Sequence, residues 1–527
     1  MQQFEFVLLL LLLFVVGLGT LAQRLKTPYP IVLVIGGLLI SLIPGLPRVS
    51  LDPELILVVM LPPLLFSAAF NTSWRDFRHN LSSILPLAFG LVAFTTLGVG
   101  VTAQWLLPGF DWRLGLVLGA VISPTDALAA TSIAKRLGLP KRITDILEGE
   151  SLVNDASGLL ALEFAVAMVV SGHTPSAVKA LWQLTHLVAG GIVAGLVLGK
   201  LVYLFERSVD NPPIEITASI ITPYVAYLSA ERLHASGILS AVACGLYLGW
   251  RSPIYFSSRT RLQSGATWNT FTFILNGLAF LLIGLQLRFV MAGIHHVHVR
   301  TLVFSAAVVV FFVIVLRVVW VYLDTYVVSV FARKLLKRTT PRPSRRRIFV
   351  VGWTGMRGVV SLAAAISLPG TLESGTPFPA RNMIIFLTFC VIFVTLVLQG
   401  LTLPALIRRL GLSAKAGTDP EEQKARQTII RSALKQLDDM RAHDKPEFSS
   451  MYEDIGEHYR VRLAAAGDEG DKNNLKPEGY KLHREVTQKL RQVERSTAVK
   501  LRNENVINDA VLRKLELELD LLDVRDQ

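Results

Sequence analysis

The chain has 527 residues, of which 52% are hydrophobic and only 18% are charged, and its mean hydropathy is +0.48. Soluble domains carry about 25% charged residues, so this composition excludes a disordered chain, a collagen-like fibre and a disulfide scaffold. The formal net charge is +13, and residues 413–527 hold 21 basic and 23 acidic side chains. The positive excess therefore belongs to the apolar part, whose natural partner is anionic lipid rather than nucleic acid.

Apolar runs of roughly the 20 residues that a helix needs to cross a bilayer recur along the first 412 positions. There are thirteen, at residues 6–22, 31–46, 54–70, 82–107, 114–134, 144–171, 183–205, 214–230, 236–250, 266–291, 301–331, 347–368 and 383–407. The first lacks the positive leader of a secretory signal and carries Glu5 instead, which favours a retained span. The pattern predicts an all-α polytopic membrane protein with about 13 transmembrane helices over residues 1–412.

The basic residues of the loops test this count, because cytoplasmic loops carry an excess of Lys and Arg. Loops after odd-numbered spans contain 23 Lys and Arg, whereas the opposite loops and their borders contain seven. This alternation predicts an N-terminus outside and a C-terminus in the cytoplasm. A wrong number of spans would scramble it.

Residues 413–527 are polar and predict a helical cytoplasmic tail. One helix is expected over about 420–440 and another over about 478–523. The second carries apolar residues three or four apart, as amphipathic helices do. They are Leu482, Val486, Leu490, Val493, Leu512, Leu515, Leu519 and Leu522. Two interpretations stay open: a soluble tail that packs on itself, and a dimer or regulatory contact.

Span 5 contains Ile122-Ser123-Pro124-Thr125-Asp126-Ala127. Proline removes a backbone donor and breaks the helix, which leaves carbonyl groups, the Thr125 hydroxyl and the Asp126 carboxylate at mid-depth. Irregular backbone at this depth is tolerated where it lines a cavity or is buried in protein. We interpret the segment as part of a binding site; a kink with a helix-capping Asp is the alternative.

Span 6 contains Glu148-Gly149-Glu150-Ser151-Leu152-Val153-Asn154-Asp155-Ala156-Ser157-Gly158. Glu150, Asn154 and Ser157 share one helical stripe, and Ser151 and Asp155 form the adjacent pair. Ionisable groups inside a membrane are costly and are functional candidates by default. The stripe predicts a site rather than a packing surface.

Span 12 contains the glycine-rich segment Gly352-Trp353-Thr354-Gly355-Met356-Arg357-Gly358. Arg357 needs an anionic partner in the bilayer, and Glu150 is the expected one, in a structural ion pair. Arg317 and Asp324 in span 11 could pair with each other or extend this network.

Spans 5 and 12 would each be the fifth of a six-span half, with span 7 between the halves. Interrupted helices at matching positions are typical of inverted-repeat transporters with a site at the midplane. Carboxylate, hydroxyl, amide and carbonyl oxygens suit small hard cations. Because burial disfavours a charged carboxylate, one acid can hold a proton or a cation in turn. We expect Asp155 to be this carrier, assisted by Asn154, Asp126 and Thr125.

Four segments resemble motifs of the sodium/proton exchanger family, in particular its bacterial monovalent cation:proton antiporter-1 branch. They are Leu61-Pro62-Pro63-Leu64-Leu65-Phe66, Ser123-Pro124-Thr125-Asp126, Gly149-Glu150-Ser151-Leu152-Val153-Asn154-Asp155 and Gly355-Met356-Arg357-Gly358. The resemblance implies a homodimer in the bacterial cytoplasmic membrane, with a dimerisation part (spans 1–3 and 7–10) and a moving core (spans 4–6 and 11–13).

The resemblance also implies which residues act. Ion binding would fall to Thr125, Asp126, Ser151 and Asp155, and the stabilising ion pair to Glu150 and Arg357. Exchange of H⁺ for Na⁺, or for K⁺ or Li⁺, would be electroneutral, because Asn154 stands where electrogenic relatives carry a second Asp. Some relatives have an acidic residue after the two prolines of span 3, where this chain has Ser67, which weakens a ligand role for that span.

Rival functions fit the sequence less well. A cation channel needs repeated weak sites or a carbonyl filter, and the sequence shows one polar cluster at one depth. No zinc motif, Gly-x-Ser-x-Gly elbow or Walker loop occurs, so neither an enzyme nor a cofactor is expected. A membrane sensor that acts through the tail would not need the buried acids.

Overall fold

The computed structural model describes residues 2–43, 55–171, 177–294, 297–335, 344–372, 375–412, 420–443 and 449–465, with scattered positions between 490 and 515. Across these ranges the chain is almost entirely helical, and an isolated bridge joins Thr371 to Pro377. The chain divides into two compact units, Met1–Lys415 and Ala416–Gln527.

The first eight helices of the larger unit run from the N-terminus to the middle of the predicted spans. They are α1 (Gln2–Arg24), α2 (Tyr29–Ser41), α3 (Leu61–Asn71), α4 (Trp74–Leu85), α5 (Leu91–Leu106), α6 (Trp112–Ile122), α7 (Ala127–Arg136) and α8 (Lys141–Ser171). Two π-helical stretches, Leu55–Met60 and Pro86–Gly90, lead into α3 and join α4 to α5.

Ten further helices follow in the described part of this unit. They are α9 (Ala177–Glu206), α10 (Pro212–Arg232), α11 (Gly237–Tyr255), α12 (Ser258–Leu285), α13 (Leu287–Ala292), α14 (Val299–Leu335), α15 (Arg345–Trp353), α16 (Val359–Ile366), α17 (Arg381–Val394) and α18 (Gly400–Arg409). Each predicted span coincides, over its described residues, with one helix or with consecutive helices. Within the described ranges, eight helical stretches are long and apolar enough by themselves to cross a membrane. The polytopic all-α fold is confirmed.

Helix packing divides the unit into two groups. In the first group, which holds α1–α3 and α9–α12, α12 packs on α1, α2 and α3, and α11 packs on α3, α9 and α10. In the second group, which holds α4–α8 and α14–α18, α6 and α14 pack on α5, while α8 packs on α4 and α6. The assignment of one group to a dimer interface and of the other to a moving core stays a prediction.

Two helical pairs are interrupted where the sequence predicts it. Residues 123–126 separate α6 from α7, and residues 354–358 separate α15 from α16. Pro124 cannot donate a backbone hydrogen bond, and glycines at 355 and 358 disfavour a continuous helix. Both interruptions are buried, with Ser123, Thr125, Thr354 and Arg357 almost inaccessible.

The smaller unit contains α19 (Pro420–His443) and α20 (Ser449–Ala465). The first matches the helix expected near 420–440. The second was not expected, because its sequence mixes charged and apolar residues; it buries Tyr452 and Leu463. The second predicted tail helix, at 478–523, falls mostly outside the described residues. In it, Leu490 and Val493 are described and exposed.

Candidate functional site

The two helix interruptions meet inside the second helix group. The backbone N–H of Asp126 donates to the carbonyl oxygen of Met356 at 2.8 Å. Helix ends leave backbone groups without intrahelical partners, and in a membrane such groups must find partners within the protein. Each interruption therefore supplies a hydrogen-bond partner for a backbone group of the other. This contact joins the four half-helices α6, α7, α15 and α16 at their crossing point.

Arg357 supports this crossing through backbone carbonyls. Its Nε donates to the carbonyl oxygen of Ile122 at 3.0 Å, and its terminal nitrogen donates to the carbonyl of Gly355. Ile122 ends α6, and the C-terminus of a helix carries partial negative charge. The cation is thus balanced by a helix end and the neighbouring backbone, although no part of its side chain is exposed.

Glu150 is paired with Arg317 rather than with Arg357. The two terminal nitrogens of Arg317 lie 2.5 and 3.0 Å from the two Glu150 oxygens, and each side chain is 1% exposed. This two-pronged geometry is the strong form of an arginine–carboxylate pair. The structure therefore shows a different contact from the expected Glu150–Arg357 ion pair: Arg317 on α14 occupies both Glu150 oxygens, and Arg357 donates to the backbone carbonyls of Ile122 and Gly355.

A pairing of Arg317 with Asp324 is excluded for the same reason. Arg317 gives its remaining contact to the carbonyl oxygen of Val351 at 3.3 Å. Asp324 lies half-buried on α14 and does not line the cavity described below. Among the described residues Asp324 makes no hydrogen bond or ion pair with Arg317 or Glu150, and its place in the network stays a prediction.

Thr125 and Asn154 extend the Glu150–Arg317 pair. The Thr125 hydroxyl donates to Oε1 of Glu150 at 3.0 Å and accepts from the side-chain amide of Asn154 at 2.6 Å. All four side chains are buried. The chain of contacts fixes the first interruption to α8, so Thr125 and Asn154 are already engaged in positioning.

The side chains of Asp126 and Ser151 accept hydrogen bonds from backbone N–H groups at the start of α7. Asp126 caps this helix, since its Oδ1 accepts from the backbone N–H of Leu128 at 2.8 Å. The hydroxyl of Ser151 accepts from the N–H of Ala127 at 3.3 Å. Gly358 lies against the Asp126 carboxylate so closely that an added Cβ would overlap it, which explains why the second interruption ends in glycine.

Asp155 differs from these neighbours. It is 6% exposed, yet among the described residues its carboxylate makes no hydrogen bond and no ion pair. It lines a cavity of about 470 Å³ together with Thr125, Asp126 and Ser151. The same cavity reaches Glu148, which pairs with the exposed Lys135 at 2.7 Å. The cavity therefore connects the buried Asp155 carboxylate with the more exposed Lys135–Glu148 pair.

Sequence reasoning missed the opposite wall of this cavity. It is formed by the first helix group, with Asn269, Thr272 and Asn276 on α12 and Ser67 and Asn71 on α3. The signal was present in the sequence: these three polar residues follow one another at spacings of three and four inside a mainly apolar span. Ser67 thus does line the cavity, although it replaces the acidic residue of some relatives.

The site and fold together define a class of protein: a multi-span membrane transporter with two crossed, interrupted helices and an acid-lined cavity between two helix groups. The sequence profile of the family described as sodium/hydrogen exchanger, transmembrane, matches residues 10–409. The chain belongs to this family of cation–proton exchangers.

The names of similar proteins agree with this family assignment. The chain is 36% identical to a protein named as an uncharacterised Na⁺/H⁺ exchanger of Mycobacterium tuberculosis, over 99% of this chain and 96% of that protein. It is 34% identical to a sodium, potassium, lithium and rubidium/H⁺ antiporter of Bacillus pumilus, over 87% and 69%. The solved sodium proton antiporter MjNhaP1 of Methanocaldococcus jannaschii has a similar fold, with a TM-score of 0.61 and 19% identity over 79% of this chain and all of that one.

Proposed function

We propose that the protein exchanges one proton for one monovalent cation by alternating access, with Asp155 as the carrier and Na⁺ as the first candidate cation. K⁺ and Li⁺ remain candidates, because an oxygen-lined site accommodates each of them. The names of bacterial relatives support cation–proton exchange; a homodimer in the cytoplasmic membrane, with a role in pH and cation homeostasis, is part of the proposal through the family resemblance.

The observation that carries the proposal is the state of the Asp155 carboxylate. It is buried but lines a cavity, and no other side chain described in the structure binds it. An isolated charge in such surroundings is costly, so the acid is favoured when it holds either a proton or a cation. Competition between the two ligands at one group couples their movements without a further component.

The surrounding groups support this assignment of roles. Asp126 and Ser151 line the cavity beside Asp155 and can offer oxygens to a cation. Glu150, Arg317, Thr125 and Asn154 are joined to one another by hydrogen bonds and hold the α6–α7 interruption against α8. We assign Glu150 and Arg317 to structure rather than to proton transport.

Purified protein in liposomes tests the proposal directly. An internal pH dye should report alkalinisation when Na⁺, Li⁺ or K⁺ is added outside, because each cation that enters releases a proton from the vesicle, and cation uptake should match proton efflux in amount. Lowering the pH should raise the apparent KM for the cation while the maximal rate is kept, because protons and cations compete. Cation flux without proton movement would instead indicate a channel and would refute exchange.

The charge balance is tested in the same vesicles. A potential imposed with a K⁺ gradient and an ionophore should leave the rate of Na⁺-driven proton movement unchanged if the exchange is one for one. A rate that follows the potential would contradict the electroneutral assignment, which rests on Asn154 in place of a second carboxylate.

A further inference from the structure

Helix α12 carries a polar stripe that the proposed exchange at Asp155 does not yet use. Asn269, Thr272 and Asn276 follow one another at spacings of three and four, which places them on one helical face. All three line the cavity that contains Asp155. Polar side chains at membrane depth normally face a protein interior or a water-filled path, and this stripe lies on the wall opposite the acid.

The two amides of the stripe are unengaged. Within the described part of the chain, the side chains of Asn269 and Asn276 have no hydrogen-bond partner, whereas the amide of Asn154 donates to Thr125 at 2.6 Å. Thr272 donates its hydroxyl proton to the carbonyl of Trp268 at 2.7 Å, which leaves its oxygen lone pairs available. The α12 wall therefore offers uncharged oxygen atoms with free lone pairs to a ligand in the cavity.

The stripe has a direction. Asn269 is exposed and Asn276 is half-buried, and seven residues of helix separate them, about 10 Å along the axis. On α8 the same seven-residue distance separates Glu148, beside Lys135, from the buried Asp155. Both walls thus lead from a more accessible to a less accessible position over the same length, and Asn276 stands at the end of its stripe away from the exposed Asn269.

We propose that Asn276 alone, at the less accessible end of the α12 stripe, replaces a water molecule around the incoming cation and supplies an amide oxygen to it when the cation is bound beside Asp155, whereas the cation is still hydrated as it passes Asn269. Asn276 is then a specificity-determining residue of the first helix group, facing the carrier acid of the second. This inference rests on the proposed function. An uncharged ligand adds coordination without adding charge, so it affects the choice among Li⁺, Na⁺ and K⁺, which differ in size and hydration.

The test replaces Asn276 by leucine, which has a similar size and no oxygen ligand, and measures apparent KM for Li⁺, Na⁺ and K⁺ in liposomes at one pH. The KM should rise by about tenfold for the preferred cation, the scale of one lost polar contact, and by a different factor for the others. Asn269→Leu at the accessible end is the matched control and should change each KM by less than about twofold. Asn276→Gln, which keeps the amide, should recover part of the selectivity.

The outcomes separate this inference from the proposed function. If the unaltered protein shows no coupled exchange, the proposed function fails. If coupled exchange is normal but Asn276→Leu, recovered in folded form by size-exclusion chromatography, keeps the same ratios of KM among the three cations, the role of Asn276 is refuted alone. An equal loss for all three cations, with an unchanged KM and a lower maximal rate, also refutes it, because packing alone would produce that result.

Discussion

Two acids on α8, five residues apart, have opposite surroundings. Glu150 is 1% exposed and Asp155 is 6% exposed. Both Glu150 oxygens are bound by Arg317, and one also accepts from Thr125. The Asp155 carboxylate has no such contact within the described residues and lines a cavity instead. Burial alone therefore does not single out a carrier; the absence of a competing partner is the reason to propose Asp155 rather than Glu150.

This difference has an energetic basis. A buried charge with a well-placed opposite charge is stable in its ionised form, and removing one partner is what costs free energy. A buried acid without a protein partner must be neutralised by something from outside. We therefore expect the Glu150–Arg317 pair to hold the crossing of the interrupted helices in place and Asp155 to remain available for exchange.

The largest effect is expected for Asp155→Asn. The amide cannot carry a proton or a full negative charge, so the rate of cation-driven proton movement in liposomes should fall by at least about 100-fold, the range typical of a lost proton-transfer group. Glu148→Gln is the matched control, since Glu148 lies on the same helix and lines the same cavity. It should keep most of the activity. Exchange that persists in Asp155→Asn would remove this residue from its role.

The next effect concerns stability. Arg317→Met leaves the Glu150 carboxylate buried without its cation, so the free energy of unfolding should fall by about 3–5 kcal/mol. Thermal unfolding in detergent, followed by size-exclusion chromatography, measures the change. The double variant Arg317→Met with Glu150→Leu removes both charges and should recover much of the loss. A single variant as stable as the parent would contradict the structural role of the pair.

Sequence alone predicted the helical spans and their two interruptions because both depend on strong local signals, and Thr125, Asp126, Ser151 and Asp155 do line one cavity, while their roles stay predictions. Long apolar runs and the basic loops fixed the spans, and Pro124 with the glycines near Arg357 marked the interruptions. The choice between Arg317 and Arg357 as partner of Glu150 could not be made, because it depends on which helix packs beside α8. A stripe of neutral amides on α12 is a weaker signal than an acid and was missed for that reason.

A medium effect is expected where the two interruptions touch. Gly358→Ala adds a methyl group that overlaps the Asp126 carboxylate, so it should lower stability by about 1–3 kcal/mol through overpacking and reduce exchange. Gly17→Ala is the matched control, because a Cβ at Gly17 meets no atom nearby. Thermal unfolding and liposome exchange of both variants measure the difference. Equal behaviour of the two would show that the crossing tolerates the extra volume.

The smallest effect is expected at a second ion pair of α8. Lys135 lies 2.7 Å from Glu148, with side chains 65% and 33% exposed. Water already stabilises both charges, so Lys135→Met should change the free energy of unfolding by less than about 1 kcal/mol. The change expected for Arg317→Met is about 3–5 kcal/mol. Melting temperatures measured at low and at high salt check this. If Lys135→Met lowers the free energy of unfolding as much as Arg317→Met does, the Lys135–Glu148 pair is not a solvated contact. Side-chain exposure would then fail to distinguish it from the Glu150–Arg317 pair.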